Sequence, residues 1–241
     1  MLYEVPFKNK ITITGVVQNE KIVDFTGMTC FSLITCRPSV SEKETCVTEE
    51  LDTYTIYTYD SEKCKPGDLV TITGVGIIVK SQKNLVCPIC GTISDAVPRS
   101  KFGILANSIT KKEIPNEEIS DKEKPNKAYH NTVSWLLKNT NNNNRNNIIE
   151  IENVVTLGEE YREGLRYCLD SESTLNALYQ ISSNKKSMVK DYDVKRYSFI
   201  GSLALVQEYD HFFNCKTCNS WVFVDNKMPV VFCIEEPKIT S

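Results

Sequence analysis

Two short motifs carry the most specific chemistry in this chain: Cys87-Pro88-Ile89-Cys90 and Cys215-Lys216-Thr217-Cys218. Two residues between a pair of thiols let one turn aim both sulfurs at the same point, so each pair can grip a metal ion. Zn²⁺ takes four such ligands in a tetrahedron, and each pair supplies only half of them. Cys87, Cys90, Cys215 and Cys218 together would complete a Cys₄ site holding a structural Zn²⁺, with no open position and hence no catalysis. Because the pairs are remote in sequence, that site would have to staple two parts of the chain. Competing local sets would draw on Cys30, Cys36, Cys46 or Cys64 near the first pair, and on Cys168, His211 or Cys233 near the second. A redox role needs a helix N-terminus to depress one thiol pKa, and both pairs follow strand-like segments instead. Trp221, just beyond the second pair, is expected to pack against it.

Little else suggests reaction chemistry. There is no Gly-x-x-x-x-Gly-Lys-Ser/Thr, no His-Glu-x-x-His, and only His130 and His211 as histidines. The carboxylates are scattered through loop-like segments. A non-catalytic protein is therefore expected.

The cysteine pairs must be positioned by strands. Ile11 to Val17, Cys30 to Thr35, Thr53 to Tyr59 and Leu69 to Gly74 alternate at period two, separated by turn chemistry at Phe25-Thr26-Gly27 and Lys65-Pro66-Gly67-Asp68. Short strands at this spacing predict a small barrel or sandwich over residues 1–112. Residues 113–127, charged and with two prolines, read as a linker. Residues 128–241 form a second block, which includes the asparagine-rich stretch 139–147, a low-complexity surface loop.

The second block echoes the first. Ile72 to Val79 resembles Phe199 to Val206, each an apolar strand with a central glycine, Gly74 and Gly201. Cys87 lies thirteen residues after Gly74, and Cys215 fourteen after Gly201. Asn9 to Ile13 is echoed by Asn131 to Trp135, and Phe102 to Leu105 by Val231 to Ile234. Four echoes in one order predict two copies of one fold, each with a Cys-x-x-Cys hairpin.

Composition agrees with a folded chain: 241 residues, 41% hydrophobic and 24% charged, enough for two ordinary domains or one large one with a core that needs no disulfides. The net charge of −3 excludes a uniformly basic coat but not a local basic groove. Met1 to Pro6 lacks the basic start and apolar run of a signal peptide, and no segment approaches about 18 consecutive apolar residues. No membrane association is expected. The expected location is cytoplasmic, or nucleoid-associated in a host cell for a viral or mobile-element protein.

The first block resembles the bacterial single-stranded DNA-binding protein family. Asn9-Lys10-Ile11-Thr12-Ile13-Thr14-Gly15 is similar to its opening Asn-x-Val-x-Leu-x-Gly strand. Gly27 to Thr35 is similar to its Gly-x-x-x-x-Phe-x-Leu-Ala-Thr element, and Lys65 to Gly74 to its Lys-Gly-Asp-x-Val-x-Ile-x-Gly element with one inserted residue. The resemblance covers about 80 residues and departs from the family in three ways. The family's tryptophans are absent from this block, the acidic C-terminal tip is missing, and a Cys-x-x-Cys is added. It implies an all-β chain of two tandem OB-fold-like small barrels, a divergent zinc-bearing relative.

Such barrels hold single strands by stacking bases on exposed rings while cations track the phosphates. With Ile56 inward, Tyr54 and Thr58 should follow it, and Tyr57 and Tyr59 should face out as a base platform. Phe31 is either core or platform. The candidate nucleic-acid-binding set is Phe31, Tyr54, Tyr57, Tyr59 and Trp135, with Lys10, Lys80, Lys83, Lys195 and Arg196. Tyr179 and Tyr197 are further candidates. The expected partner is single-stranded DNA in replication, recombination or DNA transfer, with replication or recombination proteins alongside; a homo-oligomer is compatible with this. The alternative is an OB-fold scaffold binding protein partners in a replication or transcription assembly, and a third reading is a thiol oxidoreductase.

Overall fold

The computed structural model describes residues 8–19, 22–23, 28–36, 51–59, 64–95, 97–114, 132–137, 147–157, 165–169, 178–182, 196–207, 212–224, 227–235 and 238–240. The first half contributes β1 (Lys8–Val17), β2 (Ile22–Val23), β3 (Thr29–Cys36), β4 (Leu51–Thr58), β5 (Leu69–Lys83) and β6 (Val97–Lys111). The second contributes β7 (Asn147–Leu157), β8 (Leu165–Leu169), β9 (Leu178–Ser182), β10 (Arg196–Gln207), β11 (Phe212–Asn214), β12 (Trp221–Phe223), β13 (Lys227–Cys233) and β14 (Lys238–Thr240). A short helix, α1, occupies residues 132–137.

Each half closes on itself in the same order. In the first, β1 pairs with β3, β3 with β4, β4 in parallel with β6, β6 with β5, and β5 with β1. In the second, β7 pairs with β8, β8 with β9, β9 in parallel with β13, β13 with β10, and β10 with β7. Numbered within its own barrel, each runs 1-2-3-5-4-1 with its single parallel pair between the third and fifth strands. That is a five-stranded Greek-key barrel of the OB type, present twice. Closure gives each of these strands a partner on both sides among the described residues, which limits the open edge left to pair with another chain.

The barrels are joined by a seam rather than strung apart. The first half of β1 pairs with β7 from Lys8 opposite Glu152 to Ile13 opposite Asn147. Only its far end, Val16 and Val17, turns to β3 of its own barrel. β7 divides its pairing in the same way, giving its later residues to β8. Ile11 faces Ile149 at the centre of this pseudo-twofold. One continuous apolar core follows, holding Ile11, Ile13, Tyr54, Ile72 and Ile104 together with Ile149, Ile151, Phe199, Leu203 and Val231. Buried polar links also join the barrels: the Tyr54 hydroxyl donates to the Leu203 carbonyl at 3.1 Å, the Leu205 N–H to Asp52 Oδ2 at 3.1 Å, and Asn147 Nδ2 to Thr35 Oγ1 and the Cys36 carbonyl, each at 2.9 Å.

The pairing fixes the true internal repeat. Gly74 faces Ile11 and Gly201 faces Ile149, so the two glycines are equivalent, as the sequence suggests. A Cβ at Gly74 would strike the Leu105 carbonyl of β6, and one at Gly201 the Phe232 carbonyl of β13. Two other echoes need correcting. The counterpart of Asn9 to Ile13 is Asn147 to Ile151 in β7, not Asn131 to Trp135. The latter stretch enters α1, whose Val133, Leu136 and Leu137, at helical spacing, cover the end of the first barrel beside Val16, Cys36 and Leu69. The β6 echo is displaced by two residues: Ile104 pairs with Gly76 as Val231 pairs with Leu203, so Phe102 corresponds to Pro229. Of the linker read at 113–127, only its first two residues lie within the described chain.

Candidate functional site

Each cysteine pair sits on the excursion between the fourth and fifth strands of its barrel, β5 to β6 in one and β10 to β13 in the other. The two excursions are built alike. In the first, Cys87 N–H donates to the Thr92 carbonyl (2.9 Å) and Gly91 N–H to the Cys87 carbonyl (2.9 Å). In the second, Cys215 N–H donates to the Ser220 carbonyl (2.9 Å) and Asn219 N–H to the Cys215 carbonyl (2.8 Å). Closing such a tight turn needs a left-handed residue directly after the second cysteine, supplied by Gly91 at φ 71° and Asn219 at φ 54°. Glycine and asparagine are the residues that enter this region at least cost. The shared frame is thus Cys-x-x-Cys-Gly/Asn-Thr/Ser, two positions longer than the motif first read from the sequence.

The two knuckles meet. Cys87 Sγ lies 3.7 Å from Cys218 Sγ, and Cys90 Sγ 3.6 Å from Cys215 Sγ. All four sulfurs fall within 4.8 Å of one another. Each close pair takes one sulfur from each barrel, so the cluster bridges two segments 125 residues apart. None of the four is in a disulfide. A tetrahedron with metal–sulfur bonds near 2.3 Å has edges of about 3.8 Å, so the donor set is compatible with a metal site. Cys87 and Cys215 are buried, with Val222, Phe213 and Cys218 packed around them. Across the knuckles Lys216 Nζ reaches Asp95 Oδ2 at 2.7 Å.

The turns also prepare the second sulfur of each knuckle to ionise. The Thr92 hydroxyl and backbone N–H draw the Cys90 thiol down to about 6. Ser220 does the same for Cys218, again through hydroxyl and N–H, and lowers its pKa. At Cys87 the Cys90 N–H pulls downward, but burial and the adjoining thiols prevail and push it up to about 11. Four thiols this close cannot all shed protons without a cation between them. The local alternatives do not assemble: among the described residues, Cys30, Cys36, Cys64 and Cys233 join no ligand group. Cys46 and His211 lie outside the described residues, as does the side chain of Cys168.

The candidate stacking residues are distributed differently from expectation. Tyr54 is fully buried and holds the seam, and Phe31 is core. Tyr57 is buried too, although it sits on the face opposite Ile56. Its ring lies over Gly103 of the adjoining parallel strand, where a Cβ would come 2.6 Å from the ring. The missing side chain makes a slot that the tyrosine fills, so Tyr57 is not part of an outward platform. Tyr59, just past the end of β4, is 78% exposed as expected. Trp135 is half-buried among the α1 residues at the end of the first barrel. Tyr197 is buried and stacks on Phe199. Lys10 is exposed, 3.9 Å from Glu150 across the seam. Lys80 and Lys83 lie on β5 and Arg196 opens β10, but their side chains are outside the described set, as are the side chain of Tyr179 and the whole of Lys195.

One aromatic expectation reverses. Trp221 does not pack against its knuckle but stands 70% exposed, with Phe212 at 51% and Phe223 at 42%. In the β11–β12 ribbon Phe212 pairs with Phe223 and Asn214 with Trp221, while Phe213 and Val222 between them turn toward the cysteines. Neither Phe-Phe-Asn nor Trp-Val-Phe alternates in polarity, so the outward face is set by the pairing of the ribbon and not by a pattern in the sequence.

No protein-family model matches the chain, and no curated protein matches it. Among solved structures, the wild-type single-stranded DNA binding protein from Thermus aquaticus is similar at a TM-score of 0.51 and 9% identity, covering 98% of this chain and 95% of that one. A deletion mutant of the same protein gives 0.51 at 10% identity, with the same coverage. The likeness runs through nearly all of both chains, so what they have in common is the whole tandem OB-type fold.

Proposed function

We propose that this chain is a non-catalytic single-stranded DNA-binding protein whose two barrels are stapled at their knuckles by one structural Zn²⁺. The observation that carries the reading is the full-length fold likeness to a single-stranded DNA binding protein. Doubling a closed barrel in one chain gives a strand two adjoining surfaces to follow. Zinc is favoured by the donor set, since four thiolates at tetrahedral spacing suit it and leave no open position. Tyr59 remains an exposed ring for stacking, and the exposed Lys10, Lys65 and Lys101 are available as phosphate contacts. The setting that fits is replication, recombination or DNA transfer inside the cell, with the strand itself as the principal partner.

Titration with oligo-dT at two salt concentrations tests the reading. Binding should be tight at low salt and weaken steeply as salt rises, because lysines that reach phosphates displace counterions. Absence of binding at low salt overturns it.

A further inference from the structure

The exposed rings of the second knuckle are unexplained by the metal cluster, which uses only the inward face of the ribbon. Phe212, Trp221 and Phe223 share the outward face, with Asn214 beside them. Phe212 and Phe223 meet edge to face, ring centres 5.7 Å apart. Trp221 and Phe223 are two residues apart on one strand, hence about 6.7 Å apart along it. That is room for one flat group per ring.

We infer that this ribbon is a stacking platform for the unpaired bases of a single-stranded nucleic acid, with Trp221 as its principal ring. The inference rests on the single-strand reading above and places a part of that site on the knuckle rather than on the barrel wall. Surface area argues against a protein in this place. At these exposures the three rings offer roughly 350 Å², taking 150–250 Å² for each aromatic side chain, whereas a stable protein partner needs about 800 Å² a side. Chemistry argues the same way. The corresponding positions of the first knuckle are also exposed but aliphatic: Ile93 stands where the second has Trp221, and Val86 where it has Asn214. Bare apolar surface is therefore found on both arms, and flat rings beside an amide only on the second. Lys216, in the same turn, is held by Asp95 with both side chains more than four-fifths exposed. A pair so open to water is weak, and Lys216 can exchange that carboxylate for a phosphate.

The test uses the full-length, metal-loaded chain. The protein has two tryptophans, so a Trp135→Phe background, whose own oligo-dT affinity is measured first and serves as the reference, leaves Trp221 as the only reporter. Oligo-dT should quench its fluorescence. Trp221→Leu should weaken binding about 5- to 150-fold, the range for loss of one base–aromatic stack, while Trp221→Phe retains most of it. Metal content unchanged in both variants shows that the knuckle is intact. Asp95→Asn, which frees Lys216, should tighten binding at low salt. If the chain binds oligo-dT with no quenching and Trp221→Leu binds like the parent, the platform is refuted while the single-strand reading stands. If Trp221→Leu and Trp221→Phe instead act equally, on self-association measured by sedimentation, the ribbon is a protein contact and the platform is again refuted. If the parent chain itself fails to bind at low salt, the single-strand reading falls and takes the platform with it.

Discussion

A single hydroxyl shows how the two halves are held in register. Tyr54 belongs to β4 of the first barrel, yet its hydroxyl donates to the backbone carbonyl of Leu203 in the second. Removing that hydroxyl leaves a buried carbonyl without its donor, a loss that costs about 1–3 kcal/mol. Tyr54→Phe should therefore lower stability by that amount in urea denaturation while leaving the barrel core filled. Residue-level reading of β4 from sequence went half right for a physical reason. Period two places Tyr54, Ile56 and Thr58 on one face, as found. It cannot see that Gly103 lies under Tyr57, because that neighbour comes from a parallel strand nearly fifty residues on. Exposure of an outward ring depends on what the next strand lacks.

At the level of elements, the glycines of β5 and β10 mark where neighbouring backbones come too close for a side chain. Gly201→Ala forces a methyl group against the Phe232 carbonyl and the Val231 side chain. Overpacking of this kind costs about 1–3 kcal/mol, and thermal unfolding of the variant should show it as a lowered midpoint. These glycines were legible as repeat markers because their need is local to a strand and its immediate partner. The matching first strand was not: β7 lies behind the asparagine-rich stretch, while α1 places a Thr-Val-Ser-Trp run where a strand-like pattern invites the eye. Val133, Leu136 and Leu137 follow a helical period that a segment of six residues is too short to declare. The knuckles were the most legible elements of all. Their chemistry fixes their geometry, and only the left-handed Gly91 and Asn219 with their hydroxyl-bearing followers went unread.

For the molecule as a whole, the proposed metal would be one tie among several. Removal of a bound ion by a strong chelator should unlink the arms and free four thiols to a thiol reagent. A crosslink closing so long a loop contributes about 2–4 kcal/mol by analogy with disulfides. For a chain of this size that corresponds to a fall of roughly 5–15 °C in melting temperature. Unfolding should remain a single transition, because β1 and β7 pair with each other across the seam and the core runs through it. Two separate transitions after chelation would show that the knuckles, not the seam, unite the halves. Tandem duplication was readable from spacing alone, whereas fusion was not: nothing in a strand's own sequence says that half of its edge is promised elsewhere.

Fusing two copies in one chain also frees them to diverge. In a dimer of identical subunits, any change on one arm appears on the other, and a polymer lying across the axis meets the same surface whichever way it runs. Here Ile93 and Trp221 occupy matching places with different chemistry, so the two adjoining arms are no longer interchangeable. Were a nucleic-acid strand held across these arms as proposed, it would meet different chemistry according to its direction, and a lone protomer could then tell one polarity from the other.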